Sequence, residues 1–317
     1  VEIQASVADG SQHQTIKRLF SGSQLGYFRN GTVYVFSSSH NDVAWMDEPN
    51  ACIQYRNDNI YTPALALLKE NPNFKYDMEC TLYLMEYLEK HPERQDEIAD
   101  LIQQGRLSVG GTYNQPYESS YPSESLVRQV YLGRKWIKMN LPGGDTTIAW
   151  NPDTPGRSMQ MPQILAKAGI KYLYFSRFRP GLYRWYSPDG SNILAYSTAG
   201  YPMQKIILEI EDLNQVETEL RNSFYYYSPY YASRNIPPAY GLLISEDFIG
   251  PRSLDNIIIP WNSTCSKKQM PKIEYATATD FLDVVNTKDA QFDMLRGERP
   301  NLWLYEGPGH SEAMLEA

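Results

Sequence analysis

A histidine and an aspartate two residues apart, His40 and Asp42, follow closely on the run Val33-Tyr34-Val35-Phe36. Branched and aromatic residues of that kind read as a buried strand. Residues two apart on extended backbone point to one face, so imidazole and carboxylate converge. One neutral nitrogen beside one anionic oxygen is half of a zinc-type ligand set. Two further apolar runs end in acids. Thr146 to Trp150 leads to Asp153, in a loop shaped by Pro152, Pro155 and Gly156, and Tyr240 to Ile244 leads to Glu246 and Asp247. Singly, each acid is an ordinary turn or helix-capping residue, and most His-x-Asp pairs are a surface histidine beside a capping aspartate. Jointly they say more. Two carboxylates and a metal at one mouth would serve glycoside hydrolysis, one carboxylate attacking and the other donating a proton.

These residues need a scaffold that brings several strand ends together. Residues 1–31 are a polar lead-in ending in the turn signal Asn30-Gly31. Helices are predicted at Thr62 to Glu70, at Leu82 to Gln104 with a break at His91-Pro92, and at Ser123 to Asn140. Others are predicted at Ser158 to Ala168, about Glu211 to Tyr227, and Thr279 to Val285. Strands are predicted at Arg106 to Val109, Lys171 to Phe175, Lys272 to Tyr275 and Asn301 to Leu304. Gly105 should cap the helix before it, and Gly110-Gly111 implies a tight turn or the close approach of a ligand. Pro188-Asp189-Gly190 joins Tyr183 to Tyr186 and Ile193 to Tyr196 as a hairpin added to the main fold. Strands alternating with helices imply a parallel sheet with crossover helices, and such sheets bind ligands at the carboxyl ends of their strands.

Composition narrows the partners. The 317 residues are 42% hydrophobic, enough for one large α/β domain with a buried core. A net charge of −8 with no basic stripe argues against nucleic acid. No apolar run approaches the ~20 residues of a membrane span. The 25 tyrosines and 6 tryptophans suit flat, hydroxyl-rich ligands and serve equally as packing. Cys52, Cys80 and Cys265 lack metal spacing and are expected to be buried thiols. The start lacks the basic and apolar regions of a signal peptide, and sequons occur at Asn30 and Asn262.

In order along the chain, His40-Asn41-Asp42 with Trp45, Asp153-x-x-Gly156-x-Ser158, and Glu246-Asp247-Phe248 resemble glycoside hydrolase family 38, the zinc-dependent α-mannosidases. Pro122-Ser123-Glu124-Ser125-Leu126 with Arg128-Gln129 resembles a helix opening of the same family. The resemblance covers roughly residues 32–312, a catalytic domain within residues 32–317. Members usually continue into a helical domain and large β domains, so it implies further domains in the full-length protein. It also implies a seven-stranded β/α barrel-like parallel sheet with surrounding helices, a retaining mechanism and one zinc or similar divalent ion per chain. His40, Asp42 and Asp153 match metal ligands, Asp153 also the nucleophile, and Asp247 the acid/base. Trp45, Arg177 and Glu246 match substrate-binding positions, for a mannose-containing glycan. For the last ligand the family uses a histidine that precedes a Gly-Pro pair. Here Glu306 stands before Gly307-Pro308 and His310 follows; His310 is the expected ligand, since imidazole is the commoner zinc donor, with Glu306 the alternative. Pro155 replaces a frequent aromatic residue.

Two rival readings remain. A metal-dependent polysaccharide deacetylase would want more histidines in mid-chain than His13, His40, His91 and His310 provide. A glycan-binding domain without turnover would keep the pocket and lose the chemistry.

Overall fold

The computed structural model describes residues 2–9, 12–19, 26–119, 121–198, 200 and 212–299. Glu306, His310 and the strand predicted at Asn301 to Leu304 lie outside these residues. β1 (Glu2–Asp9) and β2 (Gln12–Leu19) pair as an antiparallel hairpin in the segment read as lead-in.

The remaining strands build two five-stranded sheets. In the first, β3 (Thr32–Ser37) runs parallel to β10 (Ala239–Ile244), to β11 (Lys272–Tyr275) and to β4 (Tyr76–Met78), and β4 runs parallel to β5 (Leu107–Val109). In the second, β6 (Ile148–Asn151), β7 (Tyr172–Phe175) and β9 (Asn192–Ser197) are parallel, β8 (Gly181–Tyr186) is antiparallel to β9, and β12 (Asp293–Arg296) is parallel to β8. The hairpin predicted across Pro188-Asp189-Gly190 is therefore present, but it is built into this sheet rather than appended to it. The two sheets meet near β5 and β6, where the Gly111 amide donates to the Ile148 carbonyl at 2.8 Å, and near β9 and β10, where the Tyr196 hydroxyl donates to the Gly241 carbonyl at 3.0 Å. No strand ladder closes them into one sheet among the described residues. One core is shared across both, with Val33, Val35, Phe36 and Leu242 on one side and Ile148, Trp150, Tyr172 and Tyr174 on the other.

Most of the described helices fall where the apolar periodicity predicts them, and those at Pro49–Tyr55 and Asp255–Thr264 were not predicted. The helices are α1 (Pro49–Tyr55), α2 (Thr62–Glu70), α3 (Thr81–Lys90), α4 (Gln95–Gln103), α5 (Ser123–Asn140), α6 (Met161–Lys167), α7 (Leu213–Ser233), α8 (Asp255–Thr264) and α9 (Ala278–Val285). A wider π-helical turn, Arg56–Tyr61, joins α1 to α2. Two boundaries differ from the sequence reading for physical reasons. α6 starts after Ser158 because Ser158 to Met161 first form a turn, closed by the Met161 amide donating to the Ser158 carbonyl at 3.1 Å. α7 runs through Pro229, since Phe224 and Tyr231 are buried in the core on either side of it. Gly105 caps α4 at φ 66°, and a Cβ at Gly110 would sit 2.0 Å from the Glu79 carbonyl oxygen. The close approach at Gly110 is thus to backbone, and it seats Glu79 against the end of β5. Cys52, Cys80 and Cys265 are free and buried. Among the described residues no helix is long and apolar enough to cross a membrane.

Candidate active site

Ser37 through Asn41 continue β3 as buried polar backbone, and a buried polar segment must find partners. The Ser38 hydroxyl donates to the Asp77 carbonyl at 2.9 Å, Asn41 Nδ2 donates to the Ser39 carbonyl at 2.8 Å, and the Tyr83 hydroxyl donates to the Asn41 carbonyl. Arg56, fully buried at the start of the π turn, donates from Nη1 to the Asp42 carbonyl at 2.7 Å and from Nη2 to Glu86 at 2.7 Å. Its guanidinium lies 4.7 Å from the centre of the Tyr83 ring. The His40 ring is fixed in turn by Glu79. Nδ1 is 3.0 Å and 3.2 Å from the two carboxylate oxygens, and Gln115 Nε2 donates to that carboxylate at 2.7 Å. This leaves Nε2 facing Asp153, whose Oδ2 is 3.8 Å away.

Asp153 sits in a loop that other residues hold in shape. Arg157 and Glu118 form a buried pair at 3.4 Å, and Arg157 Nη2 donates to the Asn151 carbonyl at 2.6 Å. Asn151 Nδ2 donates to the Pro116 carbonyl at 3.1 Å, and the Thr154 hydroxyl donates to Asn151 Oδ1. Burial pushes the Glu118 carboxyl up, while Arg157, the Ser158 amide and Asn151 draw it back down. Arg177, with a left-handed φ of 56°, donates from Nε to Asp153 Oδ1 at 3.0 Å.

The third strand end joins the first directly. His40 and Asp247 form a parallel bridge beyond β3 and β10, in which the His40 amide donates to the Glu246 carbonyl at 3.1 Å and the Phe248 amide to the His40 carbonyl at 2.8 Å. Asp247 is exposed and Asp42 half-buried. Burial raises the Asp42 carboxyl above its ordinary value; His40 lowers it, while Asp247, Asp153 and Glu79 raise it further. For His40, burial acts downward, but Glu79 by charge and hydrogen bond, then Asp153 and Asp42 by charge, carry it up to about 9.

The arrangement therefore gathers His40, Asp42 and Asp153 around one cleft of about 210 Å³, walled also by Tyr83, Asn114, Gln115 and Tyr117. Asp247 reaches the same cluster electrostatically. Trp45 is 76% exposed on the loop after Asp42, and Glu246 contributes its backbone carbonyl to the bridge. Among the described residues no three His, Cys, Asp or Glu side chains are gathered closely enough to hold an ion. The donor types at the cleft, one imidazole and carboxylates, are those that zinc takes. A metal-binding imidazole is characteristically oriented by a carboxylate on its other nitrogen, which is the position of Glu79. Glu79, Glu118 and Arg56 are absent from the sequence-based candidates. Glu79 follows a three-residue strand that shows no readable period, although it too is an acid at a strand end.

The family model of the glycosyl hydrolases family 38 N-terminal domain matches residues 30–306. The chain belongs to that family. Among curated relatives, the alpha-mannosidase of Saccharomyces cerevisiae is 29% identical over 178 residues, which are 53% of this chain and 16% of the yeast protein. Human alpha-mannosidase 2C1 is 26% identical over 213 residues, 62% of this chain and 20% of that protein. The chain thus spans a minor part of these relatives. The crystal structure of an alpha-mannosidase from Enterococcus faecalis V583 shares the fold, with a TM-score of 0.69 at 20% identity over 84% of this chain and 30% of that one.

Proposed function

We propose that this family 38 domain is the catalytic part of a retaining, zinc-dependent α-mannosidase acting on a mannose-containing glycan. The observation that carries the reading is the convergence of His40 and Asp153, 3.8 Å apart, on a cleft also lined by Asp42, with Asp247 bridged to His40 at its edge. The names of the yeast and human relatives support the substrate class. The two sheets are read as the walls of a barrel-like β/α fold.

In this mechanism an Asp153 oxygen attacks the anomeric carbon while Asp247 gives its proton to the departing glycosidic oxygen, leaving a glycosyl ester on Asp153. Asp247 then takes a proton from the water that cleaves the ester. Zinc, when bound, would supply Lewis-acid stabilisation to the sugar. His40, Asp42 and Asp153 would hold it, with His310 or Glu306 as the remaining ligand. Arg177 holds Asp153 in place, and Trp45 and Glu246 stand beside the sugar. The nearest oxygens of Asp153 and Asp247 are expected about 5–5.5 Å apart with a sugar bound.

The test is metal analysis combined with turnover of an aryl α-mannoside. About one zinc per chain is expected, and a chelator should lower the melting temperature by removing a ligand of the folded state. Asp153→Asn should abolish turnover and weaken zinc binding. Protein with no zinc and no thermal response to it would sink the proposal. A glycan-binding domain without turnover is the second reading, favoured by Glu306 standing where the family places a histidine. Zinc and sugar binding with no hydrolysis would select it.

A further inference from the structure

A second cavity, of about 220 Å³, opens beside the loop that carries Asp153, and its walls include Thr154, Arg157, Phe175, Arg177, Phe178 and Arg299. It adjoins the cleft, because Thr154 lines both and Arg177 reaches from its wall to Asp153 Oδ1 at 3.0 Å. Three guanidiniums thus share one small cavity in a chain of net charge −8, and none of the lining residues is an acid. Backbone pairing forces two of them together. Arg157 and Arg299 face each other in an antiparallel bridge, each amide donating to the other's carbonyl at 2.9 Å. Like charges set opposite one another repel. Phe175 and Phe178, stacked with centroids 5.8 Å apart, lie under the charges. The Arg157 guanidinium is 5.6 Å from the Phe175 ring centre, and those of Arg299 and Arg179 are 5.1 Å and 5.9 Å from that of Phe178. Ring faces attract cations but cancel no charge. Glu118 pairs with Arg157 and Asp153 with Arg177, whereas Arg179 and Arg299 have no carboxylate within ion-pair distance among the described residues. Arg299 Nε is also buried without a hydrogen bond among those residues, and a buried donor left unpaired costs free energy.

Four cations against two carboxylates leave two positive charges over. A phosphate group carries about −1.5 to −2 near neutral pH, and the planar guanidinium fork matches its oxygens. We infer that this cavity is an oxyanion site that takes a phosphate group. Arg299 and Arg177 supply donors to it. Arg157, whose Nη1 and Nη2 are engaged by Glu118, Thr154 and the Asn151 carbonyl, supplies charge. Two sources share this chemistry: free phosphate, and a phosphate carried on the mannoside in the adjoining cleft.

Calorimetric titration of the zinc-loaded protein with inorganic phosphate tests the site. Saturable binding is expected, weakened roughly tenfold or more in Arg299→Met, where charge-assisted hydrogen bonds are lost. Arg299→Lys keeps the charge without the fork and should fall between. Lys272→Met, which removes an exposed charge from the other sheet, should stay within about twofold of wild type. No saturable binding by wild type overturns the site. So does an Arg299→Met affinity equal to wild type, the result expected if phosphate sat on zinc. Aryl α-mannosides phosphorylated on single ring hydroxyls then separate the sources. If the group belongs to the substrate, the best of them should exceed the plain mannoside in kcat/KM roughly tenfold. Arg299→Met should erase that preference and leave the plain mannoside within about twofold. No preference, beside phosphate binding that depends on Arg299, upholds the site as one for free phosphate. Binding is read without turnover, so the two readings fail separately. An inactive protein that binds phosphate through Arg299 refutes the mannosidase and keeps the site, and an active one that binds none refutes the site alone.

Discussion

His40 and Asp247 sit at the ends of neighbouring parallel strands and are bridged to one another, yet their surroundings differ. Around His40 the backbone from Ser37 to Asn41 is buried, and Asp77, Tyr83, Arg56 and Glu79 each take one of its polar groups or those of Asp42. At the other corner Asp247 is exposed, and the chain turns away through a left-handed Phe248. The difference follows from the two tasks. A group that holds an ion gains from being fixed in advance, because the ion then meets a formed site. A group that gives and takes a proton must reach a leaving oxygen and then water.

That contrast can be broken from either side. The largest effect is expected at the open corner, where Asp247→Asn should lower turnover on the order of 10²–10⁴-fold with little change in melting temperature or zinc affinity. A marked loss of stability there would show that the open corner is also structural. At the closed corner the order reverses. Arg56→Met leaves the partly buried Glu86 and the Asp42 carbonyl without their donor, a loss of about 1–3 kcal/mol, below that of a fully buried pair. Urea unfolding should show that loss, and an unfolding free energy equal to wild type would remove Arg56 from the account. Glu79→Gln should be milder, weakening zinc binding roughly 10–100-fold in a competition titration. Zinc affinity unchanged in Glu79→Gln would mean that the imidazole is positioned by packing alone.

Much of this was legible in the chain. The helices Thr62–Glu70 and Ser123–Asn140 match the predicted bounds, because long amphipathic patterns bury one face whatever they pack against. The strands before His40, Asp153 and Asp247 were readable as apolar runs, and the structure brings all three ends to one place. The short elements were not. β4 and β12 have too few residues to show a period, and the π turn at Arg56 has no sequence signature of its own.

By itself the sequence determined which residue types end the strands, where the long helices run, and the family pattern His40-Asn41-Asp42, Asp153 and Asp247. Side-chain type and local period are properties of neighbouring residues, so they survive without a fold. Tertiary structure alone decided that Glu79 would orient His40, that Arg56 would cross from the π turn to hold Asp42, and that Glu118 would pair with Arg157 beneath Asp153. Those partners lie far apart along the chain and come from elements with little local signal. What unites them is the cost of leaving a buried charge or backbone carbonyl unpaired, and that cost exists only once the sheets have closed over it.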